Sequence, residues 1–107
     1  IAQAALVRFR AFPGIEAVQG APDNVEVTAA GVDKGTALLA LADLLGIPRE
    51  ATLAIGDSDN DRAMLARAGV AAVMANALPE IRALGDIVST RDNDHDGVAE
   101  LFERLGL

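Results

Sequence analysis

The stretch ATLAIGDSDNDRAMLARAGVAAVM, residues 51–74, holds two apolar runs separated by an acidic cluster and a helix-like segment. ATLAI reads as a buried strand, DNDRAMLARAG as a helix closed by Gly69, and VAAVM as a second strand. Neither strand alternates polar and apolar residues, which is the pattern of a parallel sheet covered on both faces. Strand, crossover helix and strand together predict an α/β unit. The same stretch poses a chemical question. Asp57, Asp59 and Asp61 gather where the first strand ends, although carboxylates repel one another.

The pattern continues downstream. ALPEIRALG reads as a helix with Asn76 as its cap, DIVS as a third short strand, and GVAELFERLGL as a final helix. Upstream, DKGTALLALADLLG is a helix that Asp33 can cap, with Leu38, Leu41, Leu44 and Leu45 on one face, stopped by Gly46 and Pro48. Before it, GIEAVQ and NVEVTA do alternate, as half-buried strands do, and the turn residues GAPDN between them predict an antiparallel pair. IAQAALVRFRAF reads as a helix ended by Pro13 and Gly14, with Ala2, Ala5, Leu6 and Phe9 at helical spacing. The change from antiparallel to parallel pattern near Gly31 predicts a boundary between two structural units, residues 1–29 and 30–107.

Composition narrows the function classes. With 51% apolar and 23% charged residues, the 107-residue chain is globular, a single small domain's worth of core. Its net charge of −7 is the wrong sign for phosphate backbones and anionic lipid, so neither nucleic acid nor membrane is an expected partner. The absence of Trp and Tyr leaves little for bases to stack on. No cysteine is present, which excludes disulfides and thiolate metal sites and suits a reducing cytoplasm, the expected location. The first residue is Ile1 rather than Met, a hint that further sequence lies upstream.

In open α/β sheets, ligands bind beyond the carboxyl ends of the strands. Asp57 lies at such an end, after Gly56, which would let the backbone turn sharply. Asn60 and Asp61 fall in the first turn of the following helix. Carboxylate and amide oxygens suit a hard cation such as Mg²⁺, which takes one or two protein carboxylates together with phosphate and water. Acidic residues in a first helical turn also suit the helix dipole, so capping alone explains Asp59 and Asp61 equally well. Lys34 adds a second clue. It opens a helix, where the dipole disfavours a cation, and Gly31 and Gly35 bracket it. An ammonium beside free backbone N–H groups makes an anion site, although a surface lysine is the plainer reading. Lys34 and Asp57 together suit a phosphate ester bound with Mg²⁺.

At this point the residues resemble a known family. GVDKG, followed one helix later by AIGDSDND, then AML, AGVAAVMANA and DHDGVAEL, resembles the haloacid dehalogenase superfamily of phosphatases, closest to its Cof-type sugar-phosphatase branch. The similarity runs from about Val25 to the C-terminus. It implies the C-terminal half of a Rossmann-like parallel sheet, with residues 1–29 as the tail of an α+β cap that selects substrates. By resemblance, Lys34 neutralises the phosphoryl group and the nucleophile, and Asp57 is a Mg²⁺ ligand. Asp61 supports the metal from behind that ligand or through water, and Asn60 contacts the phosphoryl group. Met74–Ala77 matches a loop usually written MGNA, with Ala75 here in place of glycine.

Family chemistry also needs a nucleophilic aspartate in a DxDG[TV] motif after an apolar strand, which forms an aspartyl-phosphate that water hydrolyses. The one such string, Asp94 to Val98, follows the polar STRDN and fits the family's final-helix start instead. The expectation is therefore the C-terminal portion of a longer Mg²⁺-dependent phosphatase acting on a small-molecule phosphate ester. The chain alone is expected to be inactive and, with a strand edge and sheet faces uncovered, to self-associate. The alternative is a calcium-binding module. DNDHDGVAELFE, from Asp92 to Glu103, fits the pattern D-x-D-x-D-G-x5-E, although the segment before it reads as strand and turn rather than helix.

Overall fold

The computed structural model describes residues 1–107. The chain opens with helix α1, Ala2–Arg10, and an antiparallel hairpin of β1, Ile15–Val18, and β2, Glu26–Ala29, in the register Ile15↔Ala29 to Val18↔Glu26. The turn chemistry in GAPDN holds the hairpin tip: Gly20 N and Ala21 N both donate to Asn24 Oδ1, at 3.1 and 2.8 Å. Leu6 of α1 and Ala17 of β1 are both buried, so this unit has its own small apolar centre.

Helix α2, Lys34–Leu45, starts directly after Asp33, which is extended and caps it. Thr36 N donates to Asp33 Oδ1 at 2.7 Å, and Asp33 N donates back to Thr36 Oγ1 at 3.1 Å. Gly46 ends the helix at φ 70°, the left-handed conformation that costs glycine nothing. Then come β3, Leu53–Gly56, and β4, Val70–Val73, joined by a 3₁₀ turn, Asp59–Asp61, and helix α3, Arg62–Arg67. A short α4, Pro79–Arg82, leads to β5, Ile87–Val88, and α5, Gly97–Arg104, closes the chain. The three strands form a parallel sheet in the order β3-β4-β5, with Leu53 opposite Val70 and Ala72 opposite Ile87. The fold is the expected α/β architecture.

Small residues dominate the core. Ala54, Ala68, Ala71 and Ala77 pack with Leu65, Val73 and Ile81 in one buried cluster. A second holds Ala72, Met74 and Leu101 under α5. The large members contribute about 1.5–3 kcal/mol each by burial. Alanine contributes little, but it lets the layers close up. Gly35 takes this furthest: a Cβ there would lie 2.5 Å from the Ala63 carbonyl oxygen, so α2 crosses α3 at backbone distance. Its role is helix packing, rather than flanking an anion site.

Three expectations shift on contact with the structure. The apolar face of α2 is not a core face: Leu41, Leu44 and Leu45 are 54, 81 and 62% exposed, and only Leu38 touches the main cluster. Helical spacing identifies an apolar stripe but not whether anything covers it. The helix expected over 77–85 shrinks to four residues, with Leu78 as its cap and Pro79 in its first turn. A residue before proline is kept out of the α region, so Asn76 cannot cap this helix. The helix expected from Asp59 to Gly69 begins with the 3₁₀ turn and stops at Arg67, because Ala68 is extended.

Candidate functional site

The acidic cluster sits at the carboxyl end of β3, and its three carboxylates have different surroundings. Asp61 folds back beneath the strand end. Its Oδ2 accepts from Asp57 N at 3.0 Å and Ser58 N at 3.2 Å, and its Oδ1 accepts from Lys34 Nζ at 2.6 Å. Asp61 is buried at 6% exposure, whereas the lysine side chain is half exposed. Asp59 stands between two guanidinium groups, Arg62 at 3.2 Å and Arg10 at 3.6 Å. Asp57 has no cationic partner. Its Oδ1 accepts from Ser58 Oγ at 2.8 Å, and its Oδ2 from Asn76 Nδ2 at 3.1 Å. Two of the three aspartates are therefore neutralised by protein cations, and only Asp57 offers an uncompensated charge.

Gly56 earns its place through space rather than through a turn. Its backbone is that of an ordinary strand residue and its φ is not positive. A Cβ there would lie 2.6 Å from Asp61 Cβ and 2.8 Å from Asp61 Oδ2. The missing side chain is what lets Asp61 reach the amides of Asp57 and Ser58.

Lys34 and Asp57 come together through Asp61, which bonds the side chain of one and the backbone of the other. The start of α2 is not a free anion site, however. Asp33 already accepts from Thr36 N, and Arg67 approaches the same carboxylate at 3.4 Å. The Thr36 backbone N–H, more than Arg67, holds the Asp33 carboxyl below its ordinary range. What Lys34 offers an anion is the two ammonium hydrogens that Asp61 does not take. Asn60 lies elsewhere: its Nδ2 donates to Glu26 Oε1 of β2 at 3.0 Å. Gly20 makes room for that pair, since a Cβ there would lie 2.9 Å from Asn60 Nδ2.

Two clefts flank the cluster. One, of about 660 Å³, is lined by Lys34 and Asn60 with the hairpin above them. The other, of about 580 Å³, is lined by Asp57, Ser58 and Asn76 with the hairpin tip and the start of α1. Asp59 and Arg62 form the wall between them, lining both.

No three His, Asp or Glu side chains converge as a metal cage anywhere in the chain. The donor chemistry at Asp57 nevertheless fits a share in a Mg²⁺ site, because that ion asks the protein for only one or two carboxylates. The calcium pattern fares worse. Helix α5 begins at Gly97, the sixth position of the pattern, so Glu103 sits well along a helix and apart from any loop. Asp92 Oδ1 is taken by His95 Nδ1 at 2.5 Å and Asp94 N at 3.0 Å, and what precedes it is the turn after β5, which ends at Val88, rather than an incoming helix. Asp94 itself is exposed in that turn, with no strand behind it to hold a nucleophile.

Sequence reasoning missed two polar residues. Asn76, taken for a helix cap, faces Asp57 instead. Glu100 is buried and accepts from Thr90 N, Thr90 Oγ1, Arg91 N and Arg104 Nη1. Bonding from the Thr90 N–H first, and then from Arg104 and Arg91, lowers its carboxyl from 4.5 to about 2. A lone Glu on an amphipathic helix gives no sign of this, since its partners are backbone groups of a distant turn.

The family of haloacid dehalogenase-like hydrolases matches residues 6–102. Phosphatase YwpJ of Bacillus subtilis is 43% identical over 88 residues, covering 82% of this chain and 30% of its own. The structure of a haloacid dehalogenase-like hydrolase from B. subtilis superposes with a TM-score of 0.88 at 38% identity, over 97% of this chain and 36% of that one. The subclass IIB sugar phosphatase BT4131 superposes with a TM-score of 0.87 at 27% identity, over 97% and 40%. The chain thus spans about a third of the length of the curated relatives it matches.

Proposed function

The chain belongs to the haloacid dehalogenase-like hydrolases, and on that premise we propose that it supplies the C-terminal portion of a Mg²⁺-dependent phosphatase acting on a small phosphomonoester. The observation that carries this reading is the strand-end arrangement. A half-exposed ammonium and one uncompensated carboxylate are brought together by a buried aspartate at the carboxyl end of a parallel strand. Anion-neutralising and cation-binding groups side by side are what phosphoryl transfer requires.

In this reading Lys34 binds the phosphoryl oxygens and offsets their charge. Asp57 holds the metal, and Asp61 fixes both the lysine and the strand end by accepting from Lys34 Nζ and from the amides of Asp57 and Ser58. When bound, Mg²⁺ neutralises charge on the phosphoryl group during its transfer. Asn60 reads the phosphoryl region once it is released from Glu26. The nucleophilic aspartate, and with it the aspartyl-phosphate step, belongs to a part of the protein outside these 107 residues. That assignment accords with the one-third share of the relatives' length. Residues 1–29 act as the tail of a cap and residues 30–107 as core. The sugar phosphatase likeness favours a sugar phosphate. Cytoplasmic placement accords with a chain that lacks cysteine and in which no helix is long and apolar enough to cross a membrane. The exposed leucines of α2 and the free edge of β3 favour self-association of the chain on its own.

The test is a panel of phosphomonoesters offered to the full-length protein with Mg²⁺ or EDTA. Asp57→Ala and Lys34→Ala should each remove Mg²⁺-dependent phosphate release. Undiminished release from both variants would overturn the reading.

A further inference from the structure

Asp57 is the one carboxylate of the cluster without a cation, yet it is not free to rotate. We propose that Asn76 is the positioning residue that aims the Asp57 carboxylate at the metal, and that the turn following β5 sets which way Asn76 points. This rests on the assignment of Asp57 as a metal ligand.

An asparagine amide has a donor end and an acceptor end, and only the donor end stabilises a neighbouring carboxylate. The choice is made here by a backbone group. Asn93 N donates to Asn76 Oδ1 at 3.0 Å, which leaves Nδ2 to face Asp57 Oδ2 at 3.1 Å. The backbone on either side of this contact is held as well. Ala75 N donates to Ser89 Oγ at 2.8 Å, and Ser89 Oγ donates to the Arg91 carbonyl at 2.6 Å, with Ser89 only 4% exposed. Ala77 N donates to the Met74 carbonyl at 3.0 Å. Glu100 secures the far side of the turn by accepting from Thr90 N and Arg91 N at 2.9 and 2.8 Å.

The two oxygens of Asp57 therefore differ. Oδ2 is held by a donor whose direction the backbone fixes, whereas Oδ1 accepts from the Ser58 hydroxyl, a rotor that can turn away. Oδ1 is the oxygen left available to a cation. The neutrality of the amide matters too. Lys34 at Asp61 and the arginines at Asp59 cancel those charges, whereas Asn76 orients Asp57 and leaves its charge for the metal. Partners of a ligating carboxylate typically change metal affinity by about ten- to a hundredfold.

The test titrates the full-length protein with MgCl₂ alone, followed by ¹⁵N NMR of the Ser58 backbone amide and the Asn76 side-chain amide. In the wild type both signals should move together with one Kd. Asn76→Ala should weaken that Kd about tenfold, with the backbone pattern outside 57–61, 74–77 and 93 unchanged. Asn76→Asp, which keeps the acceptor for Asn93 N, should tighten it by adding a second carboxylate. It stands in for the alanine variant should that one unfold. Asp57→Ala should abolish binding and return the Asn76 side-chain signals to those of a free amide. If Asp57→Ala abolishes binding but both Asn76 variants keep the wild-type Kd, the positioning role is wrong and the Asp57 assignment survives. If Asp57→Ala binds as tightly as the wild type, the assignment fails and the proposal with it.

Discussion

Replacing Gly56 with alanine tests whether the site is built on space at the end of β3. The added methyl would lie 2.6 Å from Asp61 Cβ and 2.8 Å from both Cγ and Oδ2, the nearest of them 0.8 Å inside the shortest ordinary contact of 3.4 Å. Overpacking on that scale costs about 1–3 kcal/mol. Moving Asp61 aside to relieve it stretches the bonds from Asp57 N and Ser58 N. Losing one hydrogen bond to a charged group costs about 1.5–3 kcal/mol more. Alanine's lower entropy in the unfolded chain returns roughly 0.5–1 kcal/mol. The expected net loss is about 1.5–5.5 kcal/mol. With no Trp or Tyr in the chain, urea unfolding is best followed by far-ultraviolet circular dichroism. Asp61→Gly serves as the second arm of a cycle, because it removes the atoms in the way. In that background most of the Gly56→Ala penalty should disappear, a coupling of about 2 kcal/mol. Gly46→Ala is the control. It sits at φ 70° with nothing within 4 Å of its Cβ, so its penalty of about 1 kcal/mol is purely conformational and should be the same in both backgrounds. A Gly56→Ala protein within 0.5 kcal/mol of wild type, or one equally destabilised beside Asp61→Gly, would falsify the steric account.

Other variants probe the supports around the site. Asp33→Ala should cost about 1–2 kcal/mol by uncapping α2, measured by the same denaturation, and Asp33→Ser should recover most of it. Glu100 makes stability depend on acid. Its carboxyl is lowered from 4.5 to about 2 in the folded chain, so the unfolded chain takes up the proton first as pH falls. Its contribution is complete above about pH 4.5 and is lost as pH drops toward 2. Glu100→Gln should flatten that part of a stability-against-pH profile, and an unchanged acid limb would exclude the role. Leu44→Lys with Leu45→Lys should shift the isolated chain toward monomer in sedimentation velocity if the exposed face of α2 drives association.

The alternation of strands and helices was legible because each strand is an unbroken apolar run and each helix carries a stop signal, Gly46 or the Ala68–Gly69 corner. The hairpin was legible from its polar alternation and its turn. Long-range partners were not. Asn76 before ALPE looks like a cap, and only the fold shows it sharing Asp57 with Ser58. The three aspartates look alike in sequence, yet Arg10 and Lys34 approach from elements that spacing cannot relate, and only Arg62, three residues on from Asp59, lies within reach of helical spacing. Gly56 looked like a turn residue because a glycine records only that a side chain is missing. Whether freedom or room is the reason depends on what stands beside it. Leu41, Leu44 and Leu45 made a credible core stripe because a helical period describes the helix and not its neighbours.

The alanine-built interior bears on how this sequence can drift. Where Ala54, Ala71 and Ala72 separate the sheet from its helices, a larger residue meets occupied space and a smaller one has little left to remove. Accepted change is thereby channelled outward, to the hairpin and the cleft walls, where side chains end in solvent. A lineage carrying this interior can retune what it recognises many times over while the strand ends that carry Asp57 stay where they are.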